Sequence, residues 1–323
     1  MDLERMLERC ERLQWDPDAD LDWSVEPRRF ERDDEIAIVQ YFTNMSGIER
    51  LAKKLFAVQR DLTRDPTLQR IFDTFVIDEE RHAVVAERLA RHYDVHRYRS
   101  YVLDPHLVRF AEAFEDVVQH LSPEIANAYI TSGEILLDIA LLRSLNDYVD
   151  DDMSHQAMRL INRDESRHIA IDHYMVEYYA SDEYRRVVAD QPAKPMLDRL
   201  RGMLAFVVFL WHSRPFLKAV FFDPMDLVDP EGRRLIEAFR RIQLVGLKDE
   251  VRDRPFNRFL RTMQWLFNHP VLGRFCAPLV VRTIGVDPRV IKVLYTEEDE
   301  RRLKHMSFSD LAAETAAVSR GTS

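Results

Sequence analysis

The chain has 323 residues, 46 Lys and Arg against 56 Asp and Glu, and a formal net charge of −10, with basic residues interspersed among acidic ones, a balance that repels nucleic acid. That length supports one substantial core and more helices than a minimal bundle needs. Two cysteines, Cys10 and Cys276, exclude a disulfide framework or a thiolate metal site, and a reducing, cytoplasmic setting is expected.

Scarce glycine and apolar residues at three- and four-residue spacing predict an all-α chain. The charged opening MDLERMLERCERL lacks the apolar core of a secretory signal and begins a polar, partly irregular arm reaching about Arg32. Five Asp-Pro or Ser-Pro pairs, at 65, 104, 122, 229 and 287, mark helix starts, because proline loses no hydrogen bond at the first helical position and the preceding side chain caps free amides. They predict long helices from about Asp33 to Leu62, Pro66 to Tyr93, Pro123 to Val149 and Asp152 to Tyr179. A shorter connecting helix runs from about Pro105 to His120. Ala189 to Pro195 reads as a linker into helices from about Met196 to Leu294, and the Ala-, Ser- and Thr-rich end is expected to fray. This divides the chain into an arm (1–32), a four-helix region (33–180) and a C-terminal helical extension (181–323). The most apolar stretch, Met203 to Trp211, is too short to span a bilayer and is expected to be a buried helix.

The pattern Asp-Glu-x-Arg-His occurs twice, as DEERH at 78–82 and DESRH at 164–168, each inside a predicted long helix. Glu and His three residues apart project from one helix face, so Glu79 with His82 and Glu165 with His168 form matched metal half-sites. A bundle metal centre needs one further Glu from each of the other two helices. Glu49 lies 30 residues before Glu79, and Glu134 lies 31 before Glu165. Glu49 sits among Phe42, Met45, Ile48 and Leu51, and Glu134 among Ile130, Ile135 and Leu137. Carboxylates in such surroundings call for a compensating cation. Four carboxylates and two divalent ions cancel in charge, with two neutral imidazoles completing the set. Asp78 and Asp164, with Arg81 and Arg167, are candidates to orient the metal-bound imidazoles from behind. Thr131, one turn before Glu134, offers a hydroxyl for proton relay or an ordinary helix-packing bond. His173 reads as a surface or packing histidine. Phe42, Met45, Phe75, Ile130, Leu137, Ile161 and Ile169 are pocket or core residues.

The set Glu49, Glu79 with His82, Glu134, and Glu165 with His168 resembles the ferritin-like di-iron carboxylate proteins over about residues 33–180. The resemblance implies a ferritin-like four-helix bundle with a crossover helix and added C-terminal helices. Leu21-Asp22-Trp23, the ligand intervals and DESRHIA are similar to the p-aminobenzoate N-oxygenase family, whose members oxidise aryl amines. Ile161 stands where that family carries a further histidine. Acyl-carrier-protein desaturases share the ligands but not the sequence context around Glu134. The resemblance implies two iron ions, with Mn/Fe as the alternative pair, and oxidation of a small organic molecule by O2, through N-oxygenation or C–H hydroxylation or desaturation. An external electron donor is expected, since no flavin, nicotinamide or cysteine-cluster signature is present. A homodimer without a membrane span completes this expectation. The competing function is ferroxidase iron handling with no organic substrate.

Overall fold

The computed structural model describes residues 1–120, 122–190, 195–284 and 287–319, and among them the regular secondary structure is helical without a strand. Helix α1 (Leu3–Arg12) gives the arm more order than expected. Helices α2 (Arg32–Leu62) and α3 (Pro66–Tyr93) form a tightly packed hairpin. Asp65 caps α3 by accepting from the amides of Thr67 and Leu68, with Pro66 at the first helical position. Helix α4 (Pro105–Val118) crosses over to α5 (Pro123–Ile135), capped by Asp104 and Ser122 respectively.

The predicted third long helix is continuous from Pro123 to Val149 but changes character inside. Leu136–Leu142 is π-helical before α6 (Arg143–Val149), and all seven of its residues are buried. A π-turn rotates the following residues relative to an α-helix, so it changes the face that α6 presents. Helix α7 (Asp152–Ala180) closes the set and packs against α3, α5 and α6. Phe42, Ile71, Phe75, Val85 and Ile161 are fully buried between these helices. Each such side chain contributes about 1.5–3 kcal/mol relative to exposure. Gly47 lets the connection before α4 approach α2, since a Cβ there would lie 2.8 Å from a Leu103 methyl.

Beyond α8 (Asp182–Ala189) come α9 (Met196–Phe216), a second π-helical segment after Pro215, and α10 (Asp223–Val228). Residues 191–194 of the predicted linker lie outside the described residues. Helices α11 (Arg233–Leu247), α12 (Pro255–Asn268), α13 (Gly273–Ile284) and α14 (Pro288–Ile291) follow. Then come α15 (Glu297–Leu303) and α16 (Phe308–Ser319).

Three expectations need correction. The start predicted at Asp229-Pro230 moves to Arg233, because Gly232 takes a positive φ of 67° and the Asp229 carboxylate instead accepts from the amides of Arg233, Arg234 and Leu235. The C-terminal end does not fray before Ser319: α16 packs on α7 and buries Leu311, Ala312, Thr315 and Ala316, while 320–323 lie outside the described residues. The stretch Met203 to Trp211 is not a buried helix. Its Ala205 and Phe209 face α4, but Met203, Leu204, Val207, Val208 and Trp211 are exposed.

Candidate metal centre

Helices α2, α3, α5 and α7 each deliver carboxylate or imidazole groups to one buried spot. Glu49, Glu79, His82 and Glu165 offer ligand atoms all within 4.8 Å of one another, and so do Glu79, Glu134, Glu165 and His168. The two groups share Glu79 and Glu165, so all six residues expected from the sequence come together. All six are buried.

The arrangement has an approximate internal twofold relation. His82 Nδ1 lies 3.0 Å from Glu165 Oε1, and His168 Nδ1 lies 3.0 Å from Glu79 Oε1. Each imidazole therefore faces the carboxylate of the opposite Glu-x-x-His helix. Behind the rings the exchange repeats: His82 Nε2 is 3.3 Å from Asp164, and His168 Nε2 is 3.5 Å from Asp78. Asp78 and Asp164 thus contact the histidine of the other motif, not of their own. Arg167, fully buried, lies 2.9 Å from both aspartates, and Arg81 lies 2.8 Å from Asp78 and 3.6 Å from Asp164. Two cations and two anions lock the histidine orientations.

The carboxylates facing the centre are short of partners. Both oxygens of Glu49 are buried without a hydrogen bond, and the buried Glu79 Oε1 and Glu165 Oε1 face the Nδ1 atoms of His168 and His82, each at 3.0 Å. Burial without compensation is costly for such groups, so the donor set fits bound cations. In their absence protons take that place. Burial, reinforced by Glu79, pushes the Glu49 carboxyl well above its usual range, and burial with Glu165 does the same to Glu134. Burial pulls the imidazoles down, yet Asp164 and Glu165 outweigh it at His82, as Glu165 and Asp78 do at His168, and both are raised. Glu165 moves the other way: burial raises it, but the two histidines prevail and hold it well below the ordinary value.

Aromatic rings wall one side, with Phe75 4.1 Å and Phe56 5.2 Å from the His168 ring between centroids. Phe42, Met45, Ile130, Leu137, Ile161 and Ile169 are core residues. The cleft nearest α5 is lined instead by Ala128, Thr131, Ser132, Ile135, Phe239 and Arg261 among others, and has a volume of about 180 Å³. Thr131, one turn before Glu134, lines this cleft, with its hydroxyl donating to the Asn127 carbonyl at 2.9 Å. That is the packing bond foreseen as the ordinary alternative to proton relay. His173 is buried, its Nδ1 donating to the Ile169 carbonyl, and burial pulls it down to about 4.

Three residues near the centre carried no signal that the motif analysis used. Trp15 Nε1 donates to Asp164 at 2.6 Å, and Gln14 donates to Asp78 at 3.1 Å, so the arm braces both aspartates. Their distance along the chain hides this contact from spacing arguments. Asp172, one turn after His168, is buried with Oδ2 unpartnered, and burial raises its carboxyl well above normal. Its i+4 spacing from His168 was a readable sign.

Trp15→Phe keeps the ring but removes the bond to Asp164. Metal affinity is expected to fall about tenfold, as for loss of other groups that orient a ligand from behind. Competition with a chelating dye measures it, and an unchanged affinity would show that the arm does not tune the site.

Comparison with protein-family models, curated proteins and solved structures finds no significant match to this chain.

Proposed function

We propose that the chain is a ferritin-like di-metal carboxylate protein that takes two iron ions and uses O2 to oxidise a small organic molecule. The observation that carries this reading is the overlap of two four-residue ligand groups at Glu79 and Glu165. In such a centre Glu49 and His82 would hold one ion and Glu134 and His168 the other, with Glu79 and Glu165 shared between them. Mixed carboxylate and imidazole donors suit Fe(II) or Mn(II). When bound, a pair of iron ions supplies the redox chemistry by which O2 is activated.

The chain's own residues provide position, dryness and charge. Asp78 and Asp164 fix the imidazoles through their Nε2 atoms, and Arg81 and Arg167 pair with those aspartates from behind. Phe56 and Phe75 keep water from the His168 side. The cleft lined by Thr131 is the candidate entry for an organic substrate. Electrons are to be supplied by a separate reductase or ferredoxin, since Cys10 and Cys276 are the only cysteines.

Anaerobic loading with Fe(II), followed by O2, tests the reading. The expected result is O2 uptake in proportion to bound iron with a change in visible absorption, both lost in Glu165→Ala. Two bound ions without any O2 uptake would confine the site to a structural role.

The pH dependence follows from the raised groups. The native state holds protons on Glu49 and Glu134 above their usual 4.5, where the unfolded chain has lost them, so metal-free stability falls as pH rises above that value. His82 and His168 are also raised, so their contribution is complete below 6.5 and is lost as pH climbs through their folded values. Bound ions replace these protons. The gain in Tm on Mn(II) loading is therefore expected to be larger at about pH 8 than at about pH 6. Equal gains, measured by calorimetry, would contradict the exchange of protons for metal.

A further inference from the structure

Helix α9 is anchored on one face only. Phe209 stacks on Phe114 with ring centroids 5.2 Å apart, and Phe216 stacks on Phe110 at 3.9 Å. The opposite face is apolar yet exposed: Met203 is 62% exposed, Leu204 66% and Trp211 72%. Helix α13, which packs against α9, adds Phe275 at 79% and Leu279 at 65%. The run Met196–Val228 is long and apolar enough to cross a membrane, but its attachment to α4 lays it along the protein surface. Isolated apolar side chains on a surface are ordinary; a continuous face on two adjoining helices is not.

Charge indicates what covers this face. The chain is acidic overall, yet residues 199–222 contain Arg199, Arg201, Arg214 and Lys218 and no acidic residue, with Asp198 and Asp223 at the two ends of the run pairing with Arg201 and Lys218. Residues 254–286 contain Arg254, Arg258, Arg261, Arg274 and Arg282, again with no acidic residue. Arg214, Arg274 and Arg282 are exposed, and no ion pair holds them among the described residues. A second copy in an isologous contact would set this cationic face against itself. An anionic lipid surface complements it, with phosphates for the arginines, an acyl boundary for the apolar side chains and the headgroup zone for tryptophan.

We propose that α9 and α13 seat the protein on an anionic membrane surface, with Leu204, Trp211 and Phe275 entering the outer acyl layer and Arg214, Arg274 and Arg282 contacting phosphates. The chain lies on the bilayer and does not span it. This docking is independent of the metal reading.

Flotation of the full-length, metal-loaded protein with vesicles tests the docking. It is expected to float with phosphatidylcholine–phosphatidylglycerol vesicles and far less with phosphatidylcholine alone, and raised salt is expected to weaken binding. Arg214→Gln/Arg274→Gln/Arg282→Gln should lower the partition coefficient on the order of 100-fold. Leu204→Glu/Phe275→Glu, at exposed positions, should abolish flotation while metal content and helicity remain. Absence of flotation with anionic vesicles, or flotation of both variants equal to that of the unaltered protein, would overturn the proposal. So would a concentration-dependent dimer in light scattering that Leu204→Glu/Phe275→Glu dissolves, which would assign the face to a second copy.

Discussion

Glu79→Ala is expected to strip the protein of both ions, whereas Glu134→Ala should lose only one. Glu79 belongs to both ligand groups, so its removal leaves each with three residues and would take a negative charge from between the two proposed ions. Glu134 belongs to one group, and its loss leaves Glu49, Glu79, His82 and Glu165 intact. The cost of losing a shared ligand should exceed the roughly 10- to 100-fold associated with an outer residue. Metal analysis after dialysis distinguishes the outcomes. Two ions retained by Glu79→Ala would refute its shared position.

Arg167→Met is the second large effect. The guanidinium is fully buried and lies 2.9 Å from Asp78 Oδ2 and from Asp164 Oδ1. Methionine fills similar space without charge, leaving the two buried carboxylates with Arg81 at 2.8 Å from Asp78 and 3.6 Å from Asp164, and Arg163 at 3.6 Å from Asp164. Breaking a buried pair on one side costs about 3–5 kcal/mol. For a chain of this size the expected fall in Tm is about 5–10 °C. A sign-specific change accompanies it. Burial raises Asp78 and Asp164, but the histidines and Arg167 outweigh it and hold both below normal, so their stabilisation is present at neutral pH and lost as pH falls through their folded values. Without Arg167 both folded values rise, and acid unfolding should begin at higher pH. An unchanged Tm and acid midpoint would mean that Arg81 and Arg163 suffice.

The helical architecture was readable because its punctuation is local. Asp65-Pro66, Asp104-Pro105 and Ser122-Pro123 act through amides two or three residues away, and all three mark helix starts in the structure. Asp229-Pro230 misled because Gly232, at positive φ, supplied a later start. The site residues were readable because a three-residue period fixes a helix face whatever surrounds it. What escaped depends on contacts between distant segments. The exchange of Asp78 and Asp164 between the two histidines follows from how α3 meets α7, and Trp15 reaches Asp164 across 149 residues of sequence. The π-helical turn after Glu134 was equally hidden, since LLDIALL reads as a core helix in either geometry. Met203 to Trp211 was misjudged because an apolar helix buried in a core and one left exposed on the surface carry the same composition. Which side of this helix is exposed required the fold.

Anomalous diffraction from crystals grown with Mn(II) is the most direct test of the two-metal reading. Two peaks per chain are expected, one bound by Glu49 and His82, the other by Glu134 and His168, with Glu79 and Glu165 contacting both. A single peak, or none between these six side chains, would contradict that reading.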